Sequence, residues 1–438
     1  MSWLHARRVA AAAAGLTLAC ALAACGGSDT SSTTDAGTTG AGSATAEAGA
    51  GGASIEEAAA ELRAFVGGTE GPADDAKAPI TLGYVNDEGG VPSFPEATVA
   101  ADAAVRLVNE HLGGLDGHPI KLDKCLIAGS EEQGQGCAQR FRNDAAIPGV
   151  IEVSASVGAG AYHATMAGAK PTIIGSPNAP SDGDAENAFA LSSGIYGVGG
   201  FAVYAADYAK AKSASVLYPG DDPAGQAAGK QVVADLEKRG IEVSKAGYSS
   251  ASSSLLAPAA SAAVGRTDIV IALLPSPSSC IAGAKAFETT AKGKPVLALG
   301  SCLAAPVREE LGDYPLWSYQ SVFENPYLTD AGPVVAAYAA VMGAYAGEDA
   351  NFGGWAPGAF AAVLTAVKMG NEIGADQLTP ETLSQALEGF QGPAPLSPPN
   401  LTWGAIPPLP AIGSTATRVY TYEGEGRFVD ATDGEWIG

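Results

Sequence analysis

From residue 79 onward, short runs of β-branched residues alternate with longer stretches of helical spacing, and this alternation restricts the fold more than any other feature. The first strand candidates are residues 80–85, 120–123, 150–153 and 172–174. A second set follows at residues 214–218, 241–245, 269–274 and 295–299. Strands separated by helices pair in parallel and carry helices on both faces. The sequence therefore predicts an α/β protein of two doubly wound lobes, with a ligand site in the cleft between them.

The amino terminus has the pattern of an export signal. A short basic segment, residues 5–8, precedes an apolar stretch that is too short for a confident membrane span. The stretch closes on Leu-Ala-Ala-Cys at residues 22–25, which resembles a bacterial lipobox. We therefore expect a signal peptide at residues 1–24 and lipid attachment at Cys25. The alternative is an ordinary signal in which Cys20 and Cys25 are incidental.

The segment after Cys25 has the composition of a tether. Residues 26–53 are almost entirely Gly, Ser, Thr, Ala, Asp and Glu, so they bury too little apolar surface to offset the entropy of ordering. A short helix is predicted within the tether, with Ser54 as N-cap and Glu57 completing a capping box. We expect the lipidated, flexible tether to extend over residues 25–78.

The charge balance excludes some partners. Lysine and arginine number 24 against 47 acidic residues, a net charge of −23. Such a chain is unsuited to nucleic acid or to binding an anionic membrane through basic patches. No apolar run of about 18 residues follows the signal, so only the lipid is expected to hold the protein at the membrane, on its extracytoplasmic face.

Four cysteines follow Cys25, and an oxidising compartment favours two disulfides. They are Cys125, Cys137, Cys280 and Cys302. Three pairings are possible, and we favour neighbours in sequence, Cys125–Cys137 and Cys280–Cys302. A zinc site is the alternative, but the closely spaced cysteine pairs that zinc prefers are missing.

Motifs of catalysis are missing as well. The sequence has no Gly-x-Ser-x-Gly elbow, no P-loop and no His-Glu-x-x-His pair. Gly158 and Gly160 follow a strand candidate, but His163 stands where a dinucleotide fingerprint needs its third glycine. A lone histidine here is more often a solvated or structural residue than a ligand contact. We predict a protein that is not an enzyme, with no cofactor and no metal.

Three successive stretches form a diagnostic block. They are Tyr-Val-Asn-Asp-Glu-Gly-Gly at residues 84–90, the helical residues 100–108, and Asn-Glu-His-Leu-Gly-Gly-Leu-Asp-Gly-His-Pro-Ile at residues 109–120. The block resembles the branched-chain amino acid (Leu/Ile/Val) binding protein family, the type I periplasmic binding proteins of ABC importers. Later helical stretches also fit this resemblance, which extends thinly to the carboxyl terminus.

The resemblance implies two Rossmann-like lobes joined by a three-segment hinge. Lobe 1 would hold residues 79–193 and 324–389, and lobe 2 residues 194–323 and 390–438. The lobes would close on a small-molecule ligand, and the closed monomer would dock on permease subunits served by an ATPase. The alternative is a surface sensor of the same fold that signals to a membrane partner.

The resemblance also points to ligand contacts in lobe 1. Ser156, with Ser154 beside it, falls where family members hold the ligand carboxylate, although a serine there is equally a helix N-cap. Ser176 and Asn178 fall on a second contact loop, with turn chemistry as the alternative. Trp355 stands where relatives carry an aromatic residue at the cleft, or belongs to the core.

Three further candidates follow the first strand of lobe 1. Asn86, Asp87 and Glu88 either face the cleft or belong to a solvated loop.

In lobe 2 the sequence departs from the family. Pro223 and Pro275 replace aromatic residues, and Cys302 replaces the acid that takes the ligand ammonium. Burying an ammonium without an anionic partner is costly. Either another acid substitutes, namely Asp87, Glu88, Asp221 or Asp222, or the ligand is not a free α-amino acid, which we favour. Ser276 is a further candidate contact in lobe 2. The expected ligand is a small polar molecule: an amino acid, an amide or a related small metabolite.

Overall fold

The computed structural model describes residues 53–90, 92–249, 256–265, 267–328, 332–347 and 351–438. The predicted signal peptide and Cys25 lie outside these residues. Within them the chain forms two α/β lobes, which confirms the predicted fold class.

Lobe 1 is built on a five-stranded parallel sheet in the order β2-β1-β3-β4-β5. Its strands are β1 (Ile80–Asp87), β2 (Ile120–Ile127), β3 (Val150–Glu152), β4 (Thr172–Ile174) and β5 (Ala188–Ala190). Both faces of the sheet are covered. On β1, the buried side chain of Tyr84 packs into one apolar cluster and that of its neighbour Val85 into another on the opposite face.

Helices cover the two faces of this sheet unequally. They are α2 (Pro95–His111), α3 (Glu131–Asn143), α4 (Ala159–Met166), α5 (Pro180–Gly183), α11 (Pro333–Tyr345), α12 (Ala356–Ile373) and α13 (Pro380–Gly389). Helix α12 packs against α2, β3 and β4, and α3 packs with α4 on the other side. After α2, Gly113 and Gly114 have φ of 73° and 72°, a left-handed conformation that glycine adopts without strain.

Lobe 2 is built on a larger sheet in the order β12-β11-β10-β9-β8-β6-β7. Its strands are β6 (Ser213–Pro219), β7 (Glu242–Tyr248), β8 (Ile269–Ala272), β9 (Val296–Leu299), β10 (Ser318–Ser321), β11 (Arg418–Tyr422) and β12 (Phe428–Asp430). The strands from β6 to β10 pair in parallel, and β11 and β12 add antiparallel pairs at one edge. Its helices are α6 (Gly199–Val203), α7 (Pro223–Lys238), α8 (Leu256–Ala263), α9 (Pro277–Thr290) and α10 (Ala305–Leu311).

The segment expected to be a tether contains a packed helix, α1 (Ile55–Val66). The predicted capping box of Ser54 and Glu57 is present. However, α1 packs against α11 and α12 and buries Leu62 in the core of lobe 1. The prediction of a tether up to residue 78 was therefore wrong for α1, because its apolar face finds a partner far away in the sequence.

Among the described residues, three segments cross between the lobes, after β5, after β10 and before β11. The third crossing lies later than the sequence suggested. Residues 390–412 pack on lobe 1: Leu401 is buried in its core, and the indole nitrogen of Trp403 donates to the carbonyl of Ala190 at 2.9 Å. Ile412 forms a bridge with Ala190 at the end of β5. The chain therefore returns to lobe 2 only near Thr417, and not at residue 390.

Both favoured disulfides are present. Cys125–Cys137 joins β2 to α3, and Cys280–Cys302 joins α9 to the 3-10 turn Gly300–Leu303 after β9. Each pair closes a short loop within one lobe, so neither links the two lobes.

The packing of α1 can be tested by substitution. Leu62→Ala should reduce the free energy of unfolding by about 2–5 kcal/mol, because it removes a fully buried side chain. Urea unfolding of the full chain measures the change, with the exposed neighbour Glu61→Ala as control. Equal midpoints for both variants would mean that α1 is not part of the folded lobe.

Candidate functional site: the cavity between the lobes

A cavity of about 150 Å³ lies between the lobes, where β4, β8 and β9 end. Lobe 1 contributes residues from the loop after β4 and from the start of α12, and lobe 2 contributes the turns after β8 and β9. The crossings close its remaining side. The residues that line it include Ser176, Asn178, Gly194, Pro275, Gly300, Ser301, Glu324, Asn325, Tyr327 and Trp355. The cavity therefore lies at the edge of the parallel sheets where ligands are expected.

Three predicted contacts line this cavity from lobe 1. The buried Ser176 hydroxyl accepts a hydrogen bond from Ser192 at 3.2 Å. The amide nitrogen of Asn178 donates to the Ser154 hydroxyl at 2.9 Å, so Ser154 supports this wall from behind. Trp355 is half-buried and packs edge-on against the ring of Phe94, with ring centroids 5.2 Å apart. Together these residues give lobe 1 a wall of hydroxyl, amide and indole groups.

The hydrogen-bond donors of the loop after β3 already have a partner within the protein. One carboxylate oxygen of Asp87, the last residue of β1, accepts from the backbone N–H and the hydroxyl of Ser156 at 2.8 and 2.6 Å. It also accepts from the backbone N–H of Val157 at 3.4 Å. Burial raises the pKa of Asp87 to about 6. The donors that the resemblance reserves for a ligand carboxylate are therefore occupied by a carboxylate of the protein itself.

The remaining candidates from the first strand serve the interior of lobe 1. The amide nitrogen of Asn86, which is fully buried, donates to the carbonyl of Phe94 at 2.8 Å. Glu88 accepts from the hydroxyl of Thr98 on α2 at 2.5 Å. Neither side chain lines the cavity. Both hold the loop between β1 and α2 instead.

The two candidates from lobe 2 are helix caps. Asp222 accepts from the backbone N–H of Gly225 at 2.6 Å as N-cap of α7. Ser276 accepts from the backbone N–H of Ser279 at 3.3 Å as N-cap of α9. Because their acceptor oxygens already satisfy helix N–H groups and neither lines the cavity, they offer a ligand little.

The wall from lobe 2 is short of charge. Pro275 lines the cavity, as do Gly300 and Ser301. Cys302 is fully buried in its disulfide and does not line it. Ser301 donates its hydroxyl proton to the carbonyl of Leu274 at 2.8 Å. Among the described residues, this wall carries no acidic side chain that could pair with the ammonium group of a ligand.

The crossing after β10 forms a further side of the cavity, whose residues were not predicted from the sequence. Glu324 lines the cavity, but its two oxygens accept from Arg418 at 2.7 Å and from the hydroxyl of Tyr420 at 3.0 Å. Asn325 is 3% exposed; its side-chain oxygen accepts from the N–H of Tyr327 at 2.8 Å, while its amide nitrogen has no partner. An Asn-Pro pair just after a strand was the signal available, but it is equally typical of a turn.

Among the described residues that line the cavity, Glu324 carries the single charged side chain, and it is ion-paired with Arg418, which also pairs with Asp430. Aliphatic and proline side chains, aromatic rings, hydroxyls, amides and backbone groups make up the rest. Such a surface is suited to an uncharged molecule with a few polar groups, because a buried unpaired ion would be costly here.

The family model described as periplasmic binding protein matches residues 79–405, which is most of the chain. The chain belongs to the periplasmic binding protein family. The match begins at the first strand of lobe 1 and includes the segments that surround the cavity. A search of curated proteins gave no match.

Solved structures share the fold of this periplasmic binding protein at low sequence identity. A leucine-binding protein from Thermotoga maritima has a TM-score of 0.65 at 11% identity, covering 80% of this chain and 97% of its own. A branched-chain amino acid transporter substrate-binding protein from Streptococcus pneumoniae, in complex with isoleucine, gives 0.65 at 12%, covering 82% and 99%. A solute-binding protein of an ABC transporter from R. palustris, in complex with 4-hydroxybenzoate, gives 0.63 at 15%, covering 82% and 96%. These likenesses confirm the type I fold.

In the part of the chain that the structure describes, no helix of this binding protein has both the length and the apolar character needed to cross a membrane.

The buried carboxylate of Asp87 predicts a pH dependence. Its pKa in the fold, about 6, lies above the ordinary 3.8, so this group favours folding at low pH and loses that contribution as pH rises through 6. The free energy of unfolding of Asp87→Asn, measured relative to that of the unmodified protein, should therefore be higher at pH 7.5 than at pH 4. The gain should be roughly 1–2 kcal/mol once partial solvation is allowed for. Urea unfolding at both pH values measures it.

The exposed Asp75→Asn is the control and should show no such change between the two pH values. The same result for Asp87→Asn would mean that the carboxylate is not desolvated in the fold.

Proposed function

We propose that this chain is the extracytoplasmic solute-binding component of an ABC importer, and that it captures one small molecule in the cavity between its lobes. The observation that carries the proposal is the cavity itself. It opens at the carboxyl ends of the parallel strands of both sheets and is bounded by the crossings. Rotation about those crossings would close the lobes on the ligand, which is the motion such a two-lobed architecture allows.

The ligand we infer is uncharged, with an apolar part and one or two hydrogen-bonding groups. Three features support this: Asp87 occupies the donors of the loop after β3, Cys302 is in a disulfide, and Glu324 is paired with Arg418. An amide or a small aromatic alcohol fits these features better than a free α-amino acid, which needs partners for two opposite charges. The unpaired amide nitrogen of Asn325 is a candidate donor to such a ligand.

The site residues that we propose for the ligand are Ser176, Asn178 and Trp355 from lobe 1 and Ser301 and Asn325 from the rest of the wall. Ser154 positions Asn178, and Ser156 is held by Asp87. We assign no ligand contact to Asn86, Glu88, Asp222 or Ser276, since other groups of the protein bind their side chains.

The remaining part of the proposal concerns the membrane. Attachment of lipid at Cys25 would keep the monomer at the outer surface of the cytoplasmic membrane, beside the permease. The lipobox pattern at residues 22–25 and the tether composition that follows support it. Mass spectrometry of the exported chain, before and after lipase treatment, tests this attachment independently of ligand binding.

Ligand capture can be tested by thermal unfolding of the full chain with its disulfides intact. The panel holds leucine, isoleucine, valine, short amides, urea, aromatic acids, aromatic alcohols and small polyols. A ligand at a hundred times its dissociation constant stabilises the folded state by about 2.7 kcal/mol. We expect stabilisation by uncharged amides or aromatic alcohols, and its loss in Trp355→Ala, which removes one wall of the cavity.

Leu316→Ala is the control, since Leu316 is 70% exposed and does not line the cavity. Stabilisation by leucine alone would contradict the uncharged ligand but retain a solute-binding role. Equal ligand effects on Trp355→Ala and Leu316→Ala would contradict the site.

A second substitution tests the role of Asp87 directly. Asp87→Ala frees the donors of Ser156 and Val157, so ligands with a carboxylate, such as leucine and benzoate, should bind the variant more tightly. Hydrogen bonds to a charged group contribute about 1.5–3 kcal/mol, which corresponds to roughly 10–100-fold in affinity. Titration calorimetry against Asp75→Ala as control measures the gain, and no gain would mean that this loop is not reached from the cavity.

A further inference from the structure

Behind the cavity, lobe 1 contains a cluster of three ionisable side chains that the solute-binding role does not use. Glu152 ends β3, His163 lies on α4 and Asp182 lies on α5. The imidazole Nε2 lies 3.1 Å from Oε2 of Glu152 and 3.3 Å from Oδ1 of Asp182. The side chains of Glu152 and Asp182 are 1% exposed and that of His163 8%. The histidine expected to be a lone structural residue is therefore enclosed by two carboxylates.

The hydrogen bonding of this cluster is incomplete. Both oxygens of Glu152, Nε2 of His163 and Oδ1 of Asp182 are buried without a hydrogen-bond partner. A single N–H on Nε2 cannot point at both carboxylates, and buried polar atoms are normally satisfied. One ligand atom from each of the three residues therefore converges on one point, all three within 4.8 Å of one another, and the second oxygen of Glu152 is also without a partner.

The charges of the cluster do not balance either. Even with the imidazole protonated, two carboxylates leave one negative charge in excess, and the carboxylate of Asp87 acts on both of them through space. Excess charge in a buried site is costly. A divalent cation compensates both carboxylates at once and takes Nε2 of a neutral imidazole as a ligand.

The distances match a small transition-metal ion. With bonds of about 2.0–2.1 Å, ligand atoms around a tetrahedral zinc ion lie roughly 3.3 Å apart. The separations of 3.1 and 3.3 Å from Nε2 are close to this value. One nitrogen and carboxylate oxygens form a donor set that zinc accepts, and the second free oxygen of Glu152 provides a fourth donor.

We propose that Glu152, His163 and Asp182 form a binding site for a divalent transition-metal ion of the zinc type, which stabilises the cavity wall of lobe 1. The link to the wall runs through Asp182. Its other oxygen accepts from the backbone N–H groups of Asn178 and Ala179 at 2.7 and 2.8 Å. A metal ion that fixes Asp182 therefore also fixes the loop that carries Asn178 into the cavity.

The site can be tested on the full, untagged chain with zinc alone as probe. After dialysis against a chelator and then buffer, titration calorimetry with Zn²⁺ should show a single ion per chain. The melting temperature should rise with added Zn²⁺ and fall back on chelation. His163→Gln should abolish binding, whereas His111→Gln, which removes a histidine elsewhere in lobe 1, should retain it.

Cobalt keeps the test open where His163→Gln does not fold. Co²⁺ bound to the unmodified chain should show the intense visible absorption of a tetrahedral site, displaced by an equal amount of Zn²⁺. An unmodified chain that binds neither ion would overturn the proposal, and so would binding that survives in His163→Gln. The cluster would then be a buried ion pair that holds a proton. Ligand binding measured on the metal-free chain keeps this outcome separate from the solute-binding role.

Discussion

Parallel strand pairing is the constraint on which the rest of this structure depends. It places the ends of β3, β4, β8 and β9 at one edge of each sheet and forces each connection between successive parallel strands of a lobe back through a helix. Residues that are distant in sequence, such as Ser176, Pro275 and Gly300, meet for this reason around one cavity. Each lobe covers both faces of its sheet, so the strand ends are the part of the sheet left for a ligand.

The same edge explains why the sequence was informative about some residues and ambiguous about others. The alternation of strands and helices predicted both sheets, and short spacing predicted both disulfides, because these are local patterns. A serine or aspartate after a strand is also a local pattern, but it fits a helix cap and a ligand contact equally well. Ser276 and Asp222 are caps, whereas Ser176 faces the cavity, and only the neighbouring elements decide between the two outcomes.

Other features depended on contacts that no local pattern contains. Helix α1 belongs to lobe 1 because α11 and α12 cover its apolar face, and residues 390–412 belong there because Trp403 and Ile412 pack beside β5. The cluster of Glu152, His163 and Asp182 joins three elements through side chains with no motif spacing. Asp87 was ambiguous for a related reason. Whether a carboxylate at a strand end faces solvent, ligand or its own backbone depends on the loop after β3, which here supplies three donors.

Arg418 has a mechanical consequence for the movement of the lobes. It is the first residue after the third crossing, and it pairs with Glu324 on the second crossing and with Asp430 on β12 while only 7% exposed. Separating a buried ion pair leaves an uncompensated charge, so Arg418 couples the second crossing to the start of β11. If the lobes close as we propose, the second and third crossings would therefore bend together rather than independently.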